Sequence, residues 1–103
     1  MHYAVSGQLL SNKSTEFLQL LTDGTIASQK PDGKEIVASM QRAVVDQGGI
    51  VRWSEVCYCP TPLQHERATV YDHFFTNLAT CLIDDYQEFS GQPFMDFLQE
   101  QAS

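Results

Sequence analysis

GGIVRWSEVCYCPTPLQ, from Gly48 to Gln64, is the stretch on which the reading of the fold turns. Two glycines open it, the single tryptophan and two of the three cysteines follow, and Pro-Thr-Pro closes it. Residues 50–59 read as a strand. One face carries Val51, Trp53, Glu55, Cys57 and Cys59, and the other carries Ile50, Arg52, Ser54, Val56 and Tyr58. Both faces are mixed, as expected of a strand with structure packed on each side. Thr61-Pro62-Leu63-Gln64 then has the form of a helix start, with threonine able to cap, proline suited to the first helical position and glutamine able to reach back.

Projected at about 100° per residue, residues 62–75 gather Leu63, Val70, Tyr71, Phe74 and Phe75 into one arc, with Arg67 in its middle. His65, Glu66, Thr69, Asp72 and His73 fall opposite. A hairpin is the rival reading, because Thr69-Val70-Tyr71 and Phe74-Phe75 are good strand formers that could pair back on residues 50–59. Cap and period agree, and they favour the helix.

Toward the N-terminus, residues 2–10 alternate. Tyr3, Val5 and Leu9 point one way, with Gly7 in the same row, while His2, Ser6 and Gln8 point the other, which is the pattern of a half-buried strand. Gly7 suggests a bulge or a gap filled by a large neighbour. Asn12 or Ser14 is expected to cap a helix carrying Phe17, Leu20 and Leu21, closed by Gly24. Residues 25–30 read as polar linker. Asp32 and Glu35 have capping-box spacing, and Ile36, Val37, Met40, Ala43 and Val44 recur at helical spacing up to Gly48-Gly49. Toward the C-terminus, Leu78–Ile83 reads as a short buried strand ended by Asp84-Asp85. Ser90 is placed to cap a last helix with Phe94, Phe97 and Leu98 as its apolar stripe.

These elements run β-α-α-β-α-β-α. They predict one α+β domain over residues 1–103, with a sheet of three to four strands under packed helices, compatible with a ferredoxin-like or dimeric α+β barrel arrangement. At 103 residues and 43% hydrophobic content the chain can build a core. No apolar run approaches the roughly 20 residues of a membrane helix, and MHYAVSGQLL lacks the form of a secretory signal, so a cytoplasmic location is expected. Three cysteines, an odd number, fit a reducing compartment.

The net charge is −7, and all six Lys and Arg residues precede position 68. Without a cationic cluster, neither nucleic acid nor an anionic membrane is an expected partner. Cys57-x-Cys59 with His65 invites a metal reading, but the spacing is not that of a zinc knuckle and a fourth ligand is not evident, so no metal or cofactor is expected. The same cysteines, with His65 or His73 as base, could serve a nucleophilic enzyme if a thiol had a lowered pKa. Asp84, Asp85 and Glu88 lack the ligand density of a calcium loop. No Walker, GxGxxG, GxSxG or HExxH motif occurs.

The sharpest oddity is charge on inward faces. Glu55 shares its face with Trp53, and Arg67 lies in the apolar arc of the next helix. Buried charges are expensive unless paired or used. One expectation is that Glu55 and Arg67 meet, directly or at the rim of a pocket lined by Trp53, Tyr71 and Tyr3; the other, of equal weight, is that Arg67 reaches out to solvent and Glu55 lies at a sheet edge. The chain thus reads as a homodimeric interaction or small-ligand domain, with Trp53, Glu55, Arg67 and Tyr71 as ligand-binding residues. The alternative is a small enzyme working from Glu55, Arg67, His65 and Cys57/Cys59.

Overall fold

The computed structural model describes residues 1–102. Its element order is β1 (His2–Leu9), α1 (Ser14–Thr22), α2 (Gly33–Arg42), β2 (Val44–Val45), β3 (Ile50–Val56), a helical segment made of α3 (Gln64–Glu66), a π-turn (Arg67–Tyr71) and α4 (Asp72–Phe74), then β4 (Phe75–Ile83), β5 (Gln92–Pro93) and α5 (Phe94–Ala102). The fold is α+β, and the sheet has five strands in the order β4-β1-β3-β2-β5, rather than three or four. The two additional strands are only two residues each, too short to leave an alternation in the sequence.

β1 is an interior strand, paired with β4 on one side and β3 on the other, and presents apolar side chains every second residue. Tyr3 and Val5 are buried, and they stand opposite Glu55 and Trp53 of β3 in an antiparallel register. Gly7 combines both readings of its absent side chain. The β1–β4 register slips between Ser6 and Gln8, and a Cβ on Gly7 would lie 2.9 Å from Leu78 Cδ1. The core joins this face to Phe17, Leu21, Ile36, Met40, Leu63, Tyr71, Phe74, Phe94 and Leu98, all buried. Phe17 and Phe74 stack with centroids 4.2 Å apart, fastening α1 to the end of the 64–74 segment.

Several local expectations are corrected. Helix α1 begins at Ser14 after Lys13, and neither Asn12 nor Ser14 caps it by a side-chain bond. Helix α2 stops at Arg42, because Ala43 turns extended (φ −66°, ψ 152°) and Val44 joins the sheet. Residues 25–30 are not merely a polar linker, since Ile26 is fully buried. Strand β3 ends at Val56, leaving both cysteines in the loop beyond. Residues 64–74 are helical, as cap and period favoured over the hairpin, but the start is displaced. Leu63, not Thr61, precedes the first turn, and it does so in the left-handed region at φ 56°.

Strand β4 is longer than expected and is an edge, with Ala79, Cys81 and Leu82 exposed rather than buried. Ser90 does not cap α5, which begins at Phe94 after the β5 residue Pro93. Residues 84–91 instead cross the far face of the sheet. Ser54 Oγ donates to the Gln87 carbonyl and accepts from the Gln87 N–H, each at 3.0 Å. The second mixed face of β3 is thus covered by the chain itself at Ser54, while Ile50, Arg52 and Val56 are half-buried. Among the described residues no helix is long and apolar enough to cross a membrane.

Candidate ligand site

Trp53 and Glu55 lie two apart on β3 and so share its inner face. The Trp53 indole N–H donates to Glu55 Oε1 at 2.9 Å, and the Tyr71 hydroxyl donates to the same oxygen at 2.6 Å. Three of the four expected ligand-binding residues thus come together, with Tyr3 on the adjacent strand opposite Glu55. The fourth does not. Arg67 donates from Nε to Asp72 Oδ1 at 2.9 Å on the outer side of the helical segment, with 41% of its side chain exposed. The anticipated Glu55–Arg67 pairing is corrected: Glu55 is held by two neutral donors, and its carboxyl has no cation.

What lies beside it is a second carboxyl. Glu66, assigned to the polar face by the projection, is 1% exposed. Its Oε1 accepts from Cys59 Sγ at 3.3 Å and from Cys57 Sγ at 3.5 Å. Two local departures from an ideal helix account for the reversal. The left-handed Leu63 re-aims the chain as the segment begins, and the π-turn at Arg67–Tyr71 inserts an extra residue into the period. A signal for Glu66 is nonetheless present in the sequence, since it lies three residues after Leu63 and four before Val70, the spacing of one helical stripe.

Burial, with no cation to oppose it, pushes the Glu55 carboxyl up to about 8 from an ordinary 4.5. The bonds from Tyr71 and Trp53 pull the other way, while the charge of Glu66 and a carboxyl–carboxyl hydrogen bond add to the rise. At neutral pH Glu55 therefore holds its proton. Tyr71 is raised well above the usual phenol range, first by burial and then by the Glu55 charge. Burial also pushes the Cys57 thiol up to about 12, which is the opposite of what a nucleophile requires.

Outside this buried pair a cleft of about 560 Å³ opens, with Cys57, Cys59 and Glu66 at its wall. Asp32 and Glu35 of the α2 end supply further carboxylates, and Tyr58 and Tyr86 flank them. Asp32 does not cap α2 with its side chain. Its Oδ2 instead meets His65 Nδ1 at 2.8 Å, so His65, expected to be solvated, is half-buried and engaged. Glu35 Oε2 is well served, accepting from the Val56 N–H at 2.9 Å, the Tyr86 hydroxyl at 3.0 Å and Arg42 Nη2 at 3.3 Å.

The acceptors nearer the cysteines are not served in this way. Asp32 Oδ1 is buried and no donor reaches it, while Glu66 Oε2 and Glu55 Oε2 are buried with only the Glu55 proton between them. The donor atoms of Cys57, Cys59 and Glu66 lie within 4.8 Å of one another, and so do those of Asp32, His65 and Glu66. His73, by contrast, is exposed against Glu16 at 3.3 Å, well apart in role from this group. Comparison of the chain with family models, with curated proteins and with solved structures gives no match, so the site is read from its own geometry.

Proposed function

We propose that this is a small-ligand-binding domain whose cleft takes a positively charged ligand. One observation carries the reading. The wall of the cleft holds the carboxyl groups of Glu66 and Asp32, Asp32 Oδ1 is buried without a donor, and among the described residues no Lys or Arg lines it. Native proteins rarely leave buried acceptors bare, because each carries a desolvation penalty of about 1–3 kcal/mol. A cation or a donor-rich ammonium supplies what the chain does not. The cleft volume falls within the range of about 300–1,000 Å³ usual for small-molecule sites. Tyr58, 86% exposed at the rim, offers a ring face to a cation, and the Arg42 guanidinium already sits 4.4 Å from the Tyr86 ring centroid beside it.

Thermal unfolding in the presence of amines, guanidines and divalent metal ions, with anions of matched size as controls, tests this reading. Cations at about a hundred times their Kd stabilise by about 2.7 kcal/mol, and Glu66→Gln abolishes the shift. Stabilisation by anions alone, or a shift that survives Glu66→Gln undiminished, refutes it.

A homodimer is a second proposal, now supported by a different feature from the one the sequence offered. The outer edge of β4 spans nine residues, FTNLATCLI, without a charge or a proline, and Leu82 on it is 57% exposed. Such an edge is a template for pairing with a second copy. The order β4-β1-β3-β2, connected as β-α-β-β-α-β, supports the ferredoxin-like reading, with β5 and α5 as additions. Light scattering tests the dimer: Leu82→Lys dissociates it, and a wild-type monomer at micromolar concentration rules it out.

A further inference from the structure

We infer that the inner end of the cleft is a site for a divalent metal of the zinc class, held by Cys57, Cys59 and Glu66, with a fourth donor from the Asp32–His65 pair. This rests on the cation reading above and names the cation. The donor set is the first ground: two thiols and an imidazole are ligands of zinc-class ions, whereas magnesium and calcium take oxygen. Geometry is the second. A tetrahedral ion with metal–sulfur bonds of about 2.3 Å and metal–oxygen bonds of about 2.0 Å places sulfur and oxygen about 3.5 Å apart. The observed separations of Glu66 Oε1 from the two sulfurs are 3.5 and 3.3 Å.

The burial of Glu66 is the third and independent ground. Inert core cysteines would account for a buried Cys57 and a half-buried Cys59, but not for a carboxyl 1% exposed that turns one oxygen to both of them. An ion between the sulfurs and the carboxylate supplies the missing counter-charge. The surroundings are those of ligands held in place. The Cys59 N–H donates to Cys57 Sγ at 3.2 Å, and His65 Nδ1 rests on Asp32 Oδ2 at 2.8 Å, the carboxylate–imidazole contact that orients a ligating histidine. Binding replaces two S–H bonds by two sulfur–metal bonds and releases both protons to solvent. The spacing Cys57-x-Cys59 is still not that of a zinc knuckle, but further donors come from other elements, beyond a left-handed residue at Leu63 and at the start of α2.

The test is a titration of the reduced, metal-free full chain with Co²⁺ under anaerobic conditions, followed by displacement with Zn²⁺. One equivalent of Co²⁺ gives the thiolate-to-metal charge-transfer band and the visible bands of a tetrahedral site, and one equivalent of Zn²⁺ removes them. Cys59→Ser weakens Zn²⁺ binding by about 100-fold or more, and His65→Ala weakens it by roughly 10- to 100-fold. A second measurement needs no variant: Zn²⁺ protects the half-buried Cys59 from a thiol-labelling reagent, leaving the exposed Cys81 reactive. Absence of a charge-transfer band, or equal labelling with and without Zn²⁺, overturns the metal site. If organic cations still stabilise the chain through Glu66 in that case, the cation reading stands without it. If no cation does so, both fall.

Discussion

Replacing Glu55 by glutamine isolates the energetic consequence of burying a carboxyl without a cation. The substitution keeps the shape and the Oε1 acceptor that serves Trp53 Nε1 and the Tyr71 hydroxyl. It also keeps a donor on the Oε2 side, where the protonated carboxyl has its O–H. In the wild-type chain the folded state holds its Glu55 proton up to about pH 8, whereas an ordinary glutamate releases it near 4.5. Between those values the folded state binds more protons than the unfolded state, so stability falls as pH rises through the window. At about 1.4 kcal/mol per pH unit the loss is about 3 kcal/mol at neutral pH, reaching on the order of 5 kcal/mol above pH 8.

The glutamine introduced by Glu55→Gln has no proton to lose. The stability of this variant minus that of the wild type is therefore expected to be constant below pH 4.5 and to grow by several kcal/mol toward about pH 8.5. Urea unfolding followed by Trp53 fluorescence, with a chelator present to keep metal away, measures this difference at each pH. Any packing change adds a constant offset and cancels from the slope. A difference that stays flat from pH 4.5 to about 8.5 would refute the reasoning. It would mean that Glu55 ionises in the folded state as it does in the unfolded one.

Tyr71→Phe removes the 2.6 Å bond to Glu55 Oε1 and is expected to destabilise by about 1–3 kcal/mol in chemical unfolding. Because that bond holds the Glu55 pKa down, the variant also extends the pH-dependent window above about pH 8; an unchanged window counts against the assigned contact. Gly33→Ala drives a Cβ into the Ile26 carbonyl oxygen, a backbone atom that cannot swing aside. Displacement of the α2 start is expected to destabilise by about 2 kcal/mol or more, read as a Tm lowered by roughly 10 °C in calorimetry.

How far the site is legible in the sequence depends on whether chemistry or backbone path decides each residue. A period of two puts Tyr3, Val5, Trp53 and Glu55 on the inner faces of their strands, and the structure keeps them there. Helical period puts Leu63, Val70, Tyr71, Phe74 and Phe75 inward, and they too are buried. Their apolar bulk sets the inner face whatever the detailed winding. Charged neighbours have no such bulk to fix them, so the choice between Glu66 and Arg67 rests on phase alone. A left-handed Leu63 and one π-turn move that phase by about a residue, sending Arg67 out to Asp72 and Glu66 in to the cysteines. Neither irregularity has a composition of its own, since Leu63 is an unusual residue for positive φ and nothing in RATVY marks a π-turn. Buried charge is the feature that the sequence marks as needing a partner, but an ideal helical phase points to Arg67 when the neighbour is the residue before it. With Glu66 in that place the expected ion pair becomes a pair of carboxyls, and burial keeps the proton on Glu55 where a cation was expected.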